Sequence, residues 1–349
     1  MSAAQVRKRW SLRKERIVRR VLQTDPSQEY FVYVPSSSGA AAPLFVAVHG
    51  ISYNAYEQAR LFSRYCDVYG AVMVAPHFVA ERHSDYQRLG RDGRSTRADV
   101  TLDAIIEEAG WLTGASTAQI YLFGYSGGGQ FAHRYALAHP HRVARAVVAA
   151  AGWYTFPDPR TRFPYGIRRS RELRGVRFDP EEFLRVPLSV FVGDQDTTSE
   201  GLRRSGRVNR QQGKTRLERA RRWVEAMRVA ADTYHLESLV SYEEIAGGQH
   251  SFKQLMLEGR LGDRVFDALF GLPAAIGDGG NGHERTHPSS PGGDDDERTV
   301  PLASGGPEDE RTVPVALRGH DERTVPVAPG GNENEPVGHV AEGGNHGSS

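Results

Sequence analysis

A single cysteine, Cys66, leaves no intramolecular disulfide to form, so nothing in this chain of 349 residues demands an oxidising compartment. No apolar run approaches the length needed to span a bilayer. The basic residues 1–20 lack the apolar stretch of a secretory signal, and together these absences point to the cytoplasm. No glycine-rich phosphate loop or dinucleotide fingerprint is found, and His133, His139 and His141 show no metal-ligand pattern with carboxylates, so neither a cofactor nor a metal is expected. Net charge is almost absent too, at +1, but it conceals a division. From Gly277 onward there are 5 Arg and no Lys against 14 Asp and Glu, a net of −9, which leaves +10 on the body. A basic globular body with an acidic tail is unlike a nucleic-acid-binding domain, which gathers its charge on one face.

What is present suits one large α/β domain with appendages: 39% hydrophobic and 25% charged residues over this length. Residues 1–15 read as a solvated basic arm, with Trp10 the only large apolar anchor before Ile17. Residues 16–23 and 29–34 look like strands around a turn at Asp25-Pro26-Ser27. From Leu44 on, short apolar runs at 44–48, 71–75, 120–123, 143–150, 188–192 and 239–244 alternate with helical patterns at 55–69, 98–113, 131–139, 217–231 and 251–270. Strands alternating with helices predict a doubly wound, mostly parallel sheet covered on both faces, across a domain of residues 16–276.

The stretch Ile120-Tyr-Leu-Phe-Gly-Tyr-Ser126-Gly-Gly-Gly-Gln130 carries G-x-S-x-G between a strand-like and a helix-like run. Ser126 therefore falls on a sharp strand-to-helix turn, where the backbone is strained and the hydroxyl exposed. Gly124 and Gly128 flank it because a Cβ at either position would collide with the neighbouring strand or helix. Three more segments follow a shared order: Pro43-Leu-Phe-Val-Ala-Val-His49-Gly50-Ile51-Ser52, Pro187-Leu-Ser-Val-Phe-Val-Gly-Asp194-Gln-Asp196, and Gly247-Gly-Gln-His250-Ser-Phe. Over roughly residues 16–272 the chain thus resembles the α/β-hydrolase superfamily of serine hydrolases, whose nucleophile, acid and histidine occur in that order. Within the superfamily it looks closest to small esterases and polyhydroxyalkanoate-depolymerase-like proteins.

The resemblance implies an ester hydrolase acting on a small-molecule or polymeric ester, with Ser126 as nucleophile and His250 as base. Asp194 and Asp196 both follow the strand, and the family's G-x-x-D spacing selects Asp196. The oxyanion donors would be the backbone amides of Gly127 and Ile51, with His49 stabilising the turn rather than reacting. Residues 152–186 resemble a short cap, and Trp153, Tyr154 and Phe156 at its start are candidate pocket-lining residues. A peptidase or thioesterase would use the same groups. The reading from another class is a catalytically silent scaffold of the same fold.

Residues 277–349 are rich in Gly, Pro, Asp and Glu, a composition that implies disorder. Within them Asp296-Glu-Arg-Thr-Val-Pro-Leu-Ala303 recurs at 309–316 and 321–328, with Val for Leu, at spacings of 13 and 12 residues. These intervals are too short for a solenoid, so the copies read as linear motifs on a string. Thr299, Thr312 and Thr324 occupy the same place in each copy and are candidate phosphoacceptors for a Ser/Thr kinase, or for a phosphothreonine reader. The bland reading is a duplicated, solubilising tail.

Overall fold

A computed structural model describes residues 14–271, apart from 92, 94, 172 and 204. The tail with its three repeats, Thr299, Thr312 and Thr324, and nearly all of the basic arm lie outside the described residues.

β1 (Val18–Leu22) and β2 (Asp25–Tyr33) form an antiparallel pair in which Leu22 faces Asp25. The reversal is therefore made by Gln23 and Thr24, and Asp25-Pro26-Ser27, expected as the turn, opens β2 instead. Proline is tolerated there because the start of a strand can spare its ladder N–H. The alternation then begins: β3 (Leu44–Val48), α1 (Ala55–Tyr69), β4 (Val72–Pro76), a short α2 (Ala80–His83), α3 (Ala98–Thr113), β5 (Ile120–Tyr125) and α4 (Gly127–Ala138). After β6 (Val143–Ala149) comes an irregular stretch ending in α5 (Pro180–Leu184), then β7 (Leu188–Gly193), α6 (Gly206–Gln212), α7 (Arg216–Thr233), β8 (Val240–Ile245), α8 (Phe252–Leu257) and α9 (Leu261–Phe270).

The strands form one sheet in the order β1-β2-β4-β3-β5-β6-β7-β8, antiparallel at the first two joins and parallel at the rest. Both faces are covered, and the strand sequences say why. Leu44, Val46 and Val48 face one apolar layer with Leu122, Val148 and Val190, while Phe45 and Ala47 face the other with Phe123, Val147 and Phe191. Period-two alternation here sorts apolar residues between two cores instead of sorting apolar from polar, so each central strand reads as a continuous hydrophobic run. The first layer takes Ile105 and Ile106 of α3, Phe131 and Tyr135 of α4 and Trp223 of α7. The second takes Phe62 of α1, Leu255 of α8 and Phe266 of α9.

The closing helix expected over 251–270 is two helices. Arg260 adopts φ 50°, the left-handed region that ends a helix, and a Cβ on Gly259 would press on the Leu255 carbonyl and the Ile245 side chain. Among the described residues no helix is long and apolar enough to cross a membrane.

From β3 the chain winds through α1 to β4 on one side, then returns through α3 to β5 on the other. The loops leaving the carboxyl ends of β3 and β5 therefore diverge. That switch point is where open α/β sheets present a crevice, and the glycine-flanked Ser126 stands at it.

Candidate active site

Ser126 is pinned between β5 and α4 with φ 53° and ψ −110°, a conformation a non-glycine residue adopts only when its surroundings enforce it. Its N–H donates to the Ala149 carbonyl at 2.8 Å, and its carbonyl accepts from Gln130 N at 3.0 Å, so strand β6 and helix α4 hold the turn from both sides. The flanking glycines are dictated by contact. A Cβ on Gly124 would run into the Gly128 carbonyl, and one on Gly128 would run into the carbonyls of Val48 and His49. The strained turn is thus wedged against β3.

Ser126 Oγ lies 3.1 Å from His250 Nε2, and His250 Nδ1 lies 2.8 Å from Asp196 Oδ2. The structure therefore brings together three residues from loops after β5, β7 and β8. Asp194 is exposed, and the carboxylate that bonds the imidazole is that of Asp196. The His250 loop meets the end of β7 because Gly193 and Gly248 lie backbone to backbone, a Cβ on Gly193 colliding with Gly248. The Asp196 side chain is fully buried and the His250 side chain 24% exposed. Tyr125, the residue before the serine, stacks on the imidazole with ring centroids 5.3 Å apart and planes 20° apart.

Arg216, absent from the sequence reading, completes the acid's surroundings. Its Nη1 donates to Asp196 Oδ1 at 3.2 Å and its Nη2 to the Glu200 carbonyl at 3.2 Å, and the pair is almost wholly buried. One signal was available: Arg216 is the first residue of α7, after the N-cap Thr215, where the helix dipole disfavours a cation. A nearby carboxylate resolves that conflict.

On the β3 side, Gly127 and Ile51 adjoin: a Cβ on Gly127 would stand 3.3 Å from Ile51 N. The Gly127 amide belongs to the first turn of α4, whose N–H groups have no intrahelical acceptor. The turn carrying Ile51 is held by two groups. Tyr86 Oη donates to the His49 carbonyl at 3.0 Å. His49 Nδ1 donates to the Gly50 carbonyl at 2.7 Å while its Nε2 accepts from Phe78 N at 3.0 Å. Both ring nitrogens of His49 are occupied by backbone, so it is a structural histidine in one tautomer.

Of Trp153, Tyr154 and Phe156, the candidate pocket-lining residues, Tyr154 and Phe156 pack into the core, while Trp153 lies under a group of arginines. Tyr154 is fully buried and stacked on Trp223, centroids 4.7 Å apart, so it is a core residue. Phe156 packs against the same core, and Trp153, 4% exposed, lies beneath arginine side chains. The reason is long-range bonding of this stretch. Gln212 of α6 exchanges two hydrogen bonds with the Tyr154 backbone at 2.8 Å each, Arg219 Nη1 donates to the Gly152 carbonyl at 2.6 Å, and Trp223 Nε1 donates to the Thr155 carbonyl at 2.8 Å. Gln212, in a stretch unremarked in the sequence, and Arg219 and Trp223 of α7 therefore clamp residues 152–155. Among the described residues no group of three or more His, Cys, Asp or Glu is placed to hold a metal.

The buried imidazoles make the fold acid-sensitive. Burial pulls His49 and His83 down from 6.5 to about 4. Between those pH values the unfolded chain takes up protons that the folded chain does not, so stability is full above 6.5 and falls as pH drops towards 4. Each group contributes on the order of 3 kcal/mol across that window. Melting followed by circular dichroism at pH 7.5, 6, 5 and 4.5 should show a progressive fall; a constant Tm would overturn the account.

Comparison by sequence finds no match, neither among protein-family models nor among curated proteins. Comparison by structure finds many. Poly(aspartic acid) hydrolase-1 from Sphingomonas sp. KT-1 superposes with a TM-score of 0.60 at 22% identity, over 68% of this chain and 93% of that one. The poly(3-hydroxybutyrate) depolymerase LpqC from Bordetella parapertussis superposes with a TM-score of 0.59 at 24% identity, over 72% of this chain and 94% of that one. With the strand order and the turn at Ser126, these similarities establish that the chain has the α/β-hydrolase fold.

Proposed function

We propose that the chain is a serine hydrolase that cleaves a carboxylic ester through an acyl-enzyme on Ser126. The observation that carries this reading is the unbroken relay from Ser126 Oγ through His250 to the buried Asp196, set at the switch point of the sheet. As Oγ attacks the carbonyl carbon, His250 Nε2 takes its proton, and Asp196 holds the imidazole with Nδ1–H towards itself and stabilises the imidazolium. The carbonyl oxygen gains negative charge that the neighbouring backbone amides of Ile51 and Gly127 would stabilise. Collapse of the tetrahedral intermediate expels the alcohol, which takes the proton from His250. Water then repeats the sequence, releases the acid and regenerates Ser126.

The strain at Ser126 weighs against a silent scaffold, since such a conformation costs on the order of 1–3 kcal/mol and persists where it serves a reaction. The two similar structures are named for a polyester and for a polymer of aspartic acid, which favours a polymeric substrate bearing the scissile carbonyl. The test is labelling with a fluorophosphonate probe, mapped to the modified peptide, alongside turnover of p-nitrophenyl esters from acetate to octanoate. Labelling at Ser126 with turnover is expected. Neither labelling nor turnover anywhere in the series would overturn the reading.

A further inference from the structure

Beside the reacting groups the carboxyl edge of the sheet carries a concentration of guanidinium groups that the steps above do not use. Arg134, on α4 eight residues after Ser126, is fully buried. Its Nε donates to Thr155 Oγ1 at 2.9 Å and its Nη1 to the carbonyls of Gln87 at 2.7 Å and Gln130 at 3.2 Å, while Nη2 has no partner among the described residues. None of these partners is an anion. The Arg134 guanidinium lies 4.2 Å from the centre of the Trp153 ring, Arg203 lies 5.5 Å from it and Arg88 5.9 Å. Next to Trp153, ring centroids 5.5 Å apart, Tyr165 carries Arg207 over its face at 4.4 Å. Asp85 pairs with both Arg88 and Arg91 and favours the Arg134 charge through space, so one carboxylate serves three of these cations and none is shown beside Arg203 or Arg207 among the described residues.

Converging like charges repel, and a buried cation without an anion carries a large desolvation cost. Stacking on Trp153 and the carbonyls around Arg134 recover part of that cost but add no negative charge. A site that concentrates one sign of charge over a low-dielectric floor draws a ligand of the other sign. Arg203 and Arg207 are exposed, so they can touch such a ligand while Arg134 supplies fixed charge from beneath. The place is also right. Side chains on a helix lean towards its N-terminus, and the Arg134 bond to the Gln130 carbonyl holds the guanidinium between one and two turns from Ser126, on the order of 10 Å. Gln130 bridges the two: its N–H donates to the Ser126 carbonyl, its side chain abuts Gly152, and its buried Oε1 has no partner among the described residues. From the other side, Tyr86 supports the Ile51 turn and Arg88, two residues on, reaches Trp153.

We infer that the cleft selects substrates bearing a carboxylate a few bonds from the scissile carbonyl, received by Arg203 and Arg207 above Arg134 and Trp153. This inference rests on Ser126 being the hydrolytic nucleophile and names the substrate class of that site. Arg203 and Arg207 are specificity residues, remote from the reacting bond.

The experiment compares mono-p-nitrophenyl adipate with its methyl ester, which has the same reach and leaving group but no charge. In the wild-type chain kcat/KM should favour the anionic ester by on the order of tenfold, the worth of a charge-assisted contact. The preference should shrink in 0.5 M NaCl, and the anionic-to-neutral ratio should fall roughly threefold in R203Q and to about unity in R203Q/R207Q. Turnover of the neutral ester with no preference for the anionic one, or a ratio unmoved by R203Q, would overturn the inference and leave the serine hydrolase standing. If neither ester is cleaved the hydrolytic reading fails, and calorimetric titration with adipate then decides the anion site alone. Salt-sensitive binding that R203Q weakens would uphold it; no binding to the wild-type chain would end it.

Discussion

Ser126→Ala should abolish fluorophosphonate labelling and lower ester turnover by on the order of 10⁵- to 10⁶-fold, with circular dichroism and Tm close to those of the parent. The size follows from the relay acting as a unit: without Oγ, neither the His250 base nor the orienting Asp196 has a proton to move, and only the oxyanion donors and binding remain. The fold should survive because Ser126 is held by its backbone bonds to Ala149 and Gln130, which alanine keeps. A companion substitution separates chemistry from strain. At φ 53° and ψ −110° a Cβ is disfavoured, so Ser126→Gly should be as inactive as alanine yet melt higher. Labelling of the alanine variant at the parental rate would show that another residue is the nucleophile. A glycine variant melting below alanine would show that the turn is unstrained.

The parts of this molecule legible in the sequence are those whose cause is local. Gly124-Tyr-Ser126-Gly-Gly128 must sit between a strand and a helix because its glycines meet neighbouring backbone, and that requirement is written within five residues. The apolar runs of β3 to β7 likewise state their own burial. The unforeseen features depend on partners distant in the chain. Tyr154 became core because Trp223, 69 residues later, stacks on it; an aromatic residue after a strand does not say which face it will take. Residues 197–215 have no apolar periodicity, yet Gln212 fixes the backbone of Tyr154. The turn expected at Asp25-Pro26-Ser27 was moved by register, with Leu22 pairing with Asp25. Arg216 lay between these cases. Its position at the start of α7 was anomalous in sequence, but only the fold names Asp196 as the reason.

Arg216 also shapes the outcome at the acid. Asp196→Asn should lower kcat by on the order of 10³- to 10⁴-fold, whereas Asp194→Asn, at an exposed position, should change it far less. An asparagine at 196 has one oxygen and one NH₂, and Arg216 Nη1, which can only donate, demands the oxygen. The NH₂ then faces His250 Nδ1 and requires that nitrogen to accept, which moves the imidazole proton to Nε2. That proton would point at Ser126 Oγ, where the reaction needs a base. Arg216 thus locks the variant in the wrong tautomer. The same substitution leaves a buried cation without its anion and should destabilise the fold by roughly 3–5 kcal/mol, so activity is to be read below the measured Tm. Adding Arg216→Met frees the amide to turn its oxygen to His250 Nδ1–H and removes the stranded charge. The double variant should therefore be both more stable and more active than Asp196→Asn alone, a departure from additivity that only coupled residues give. A severe loss at Asp194 with a mild one at Asp196 would reassign the acid. A double variant no better than the single one would leave Arg216 without a hold on the amide.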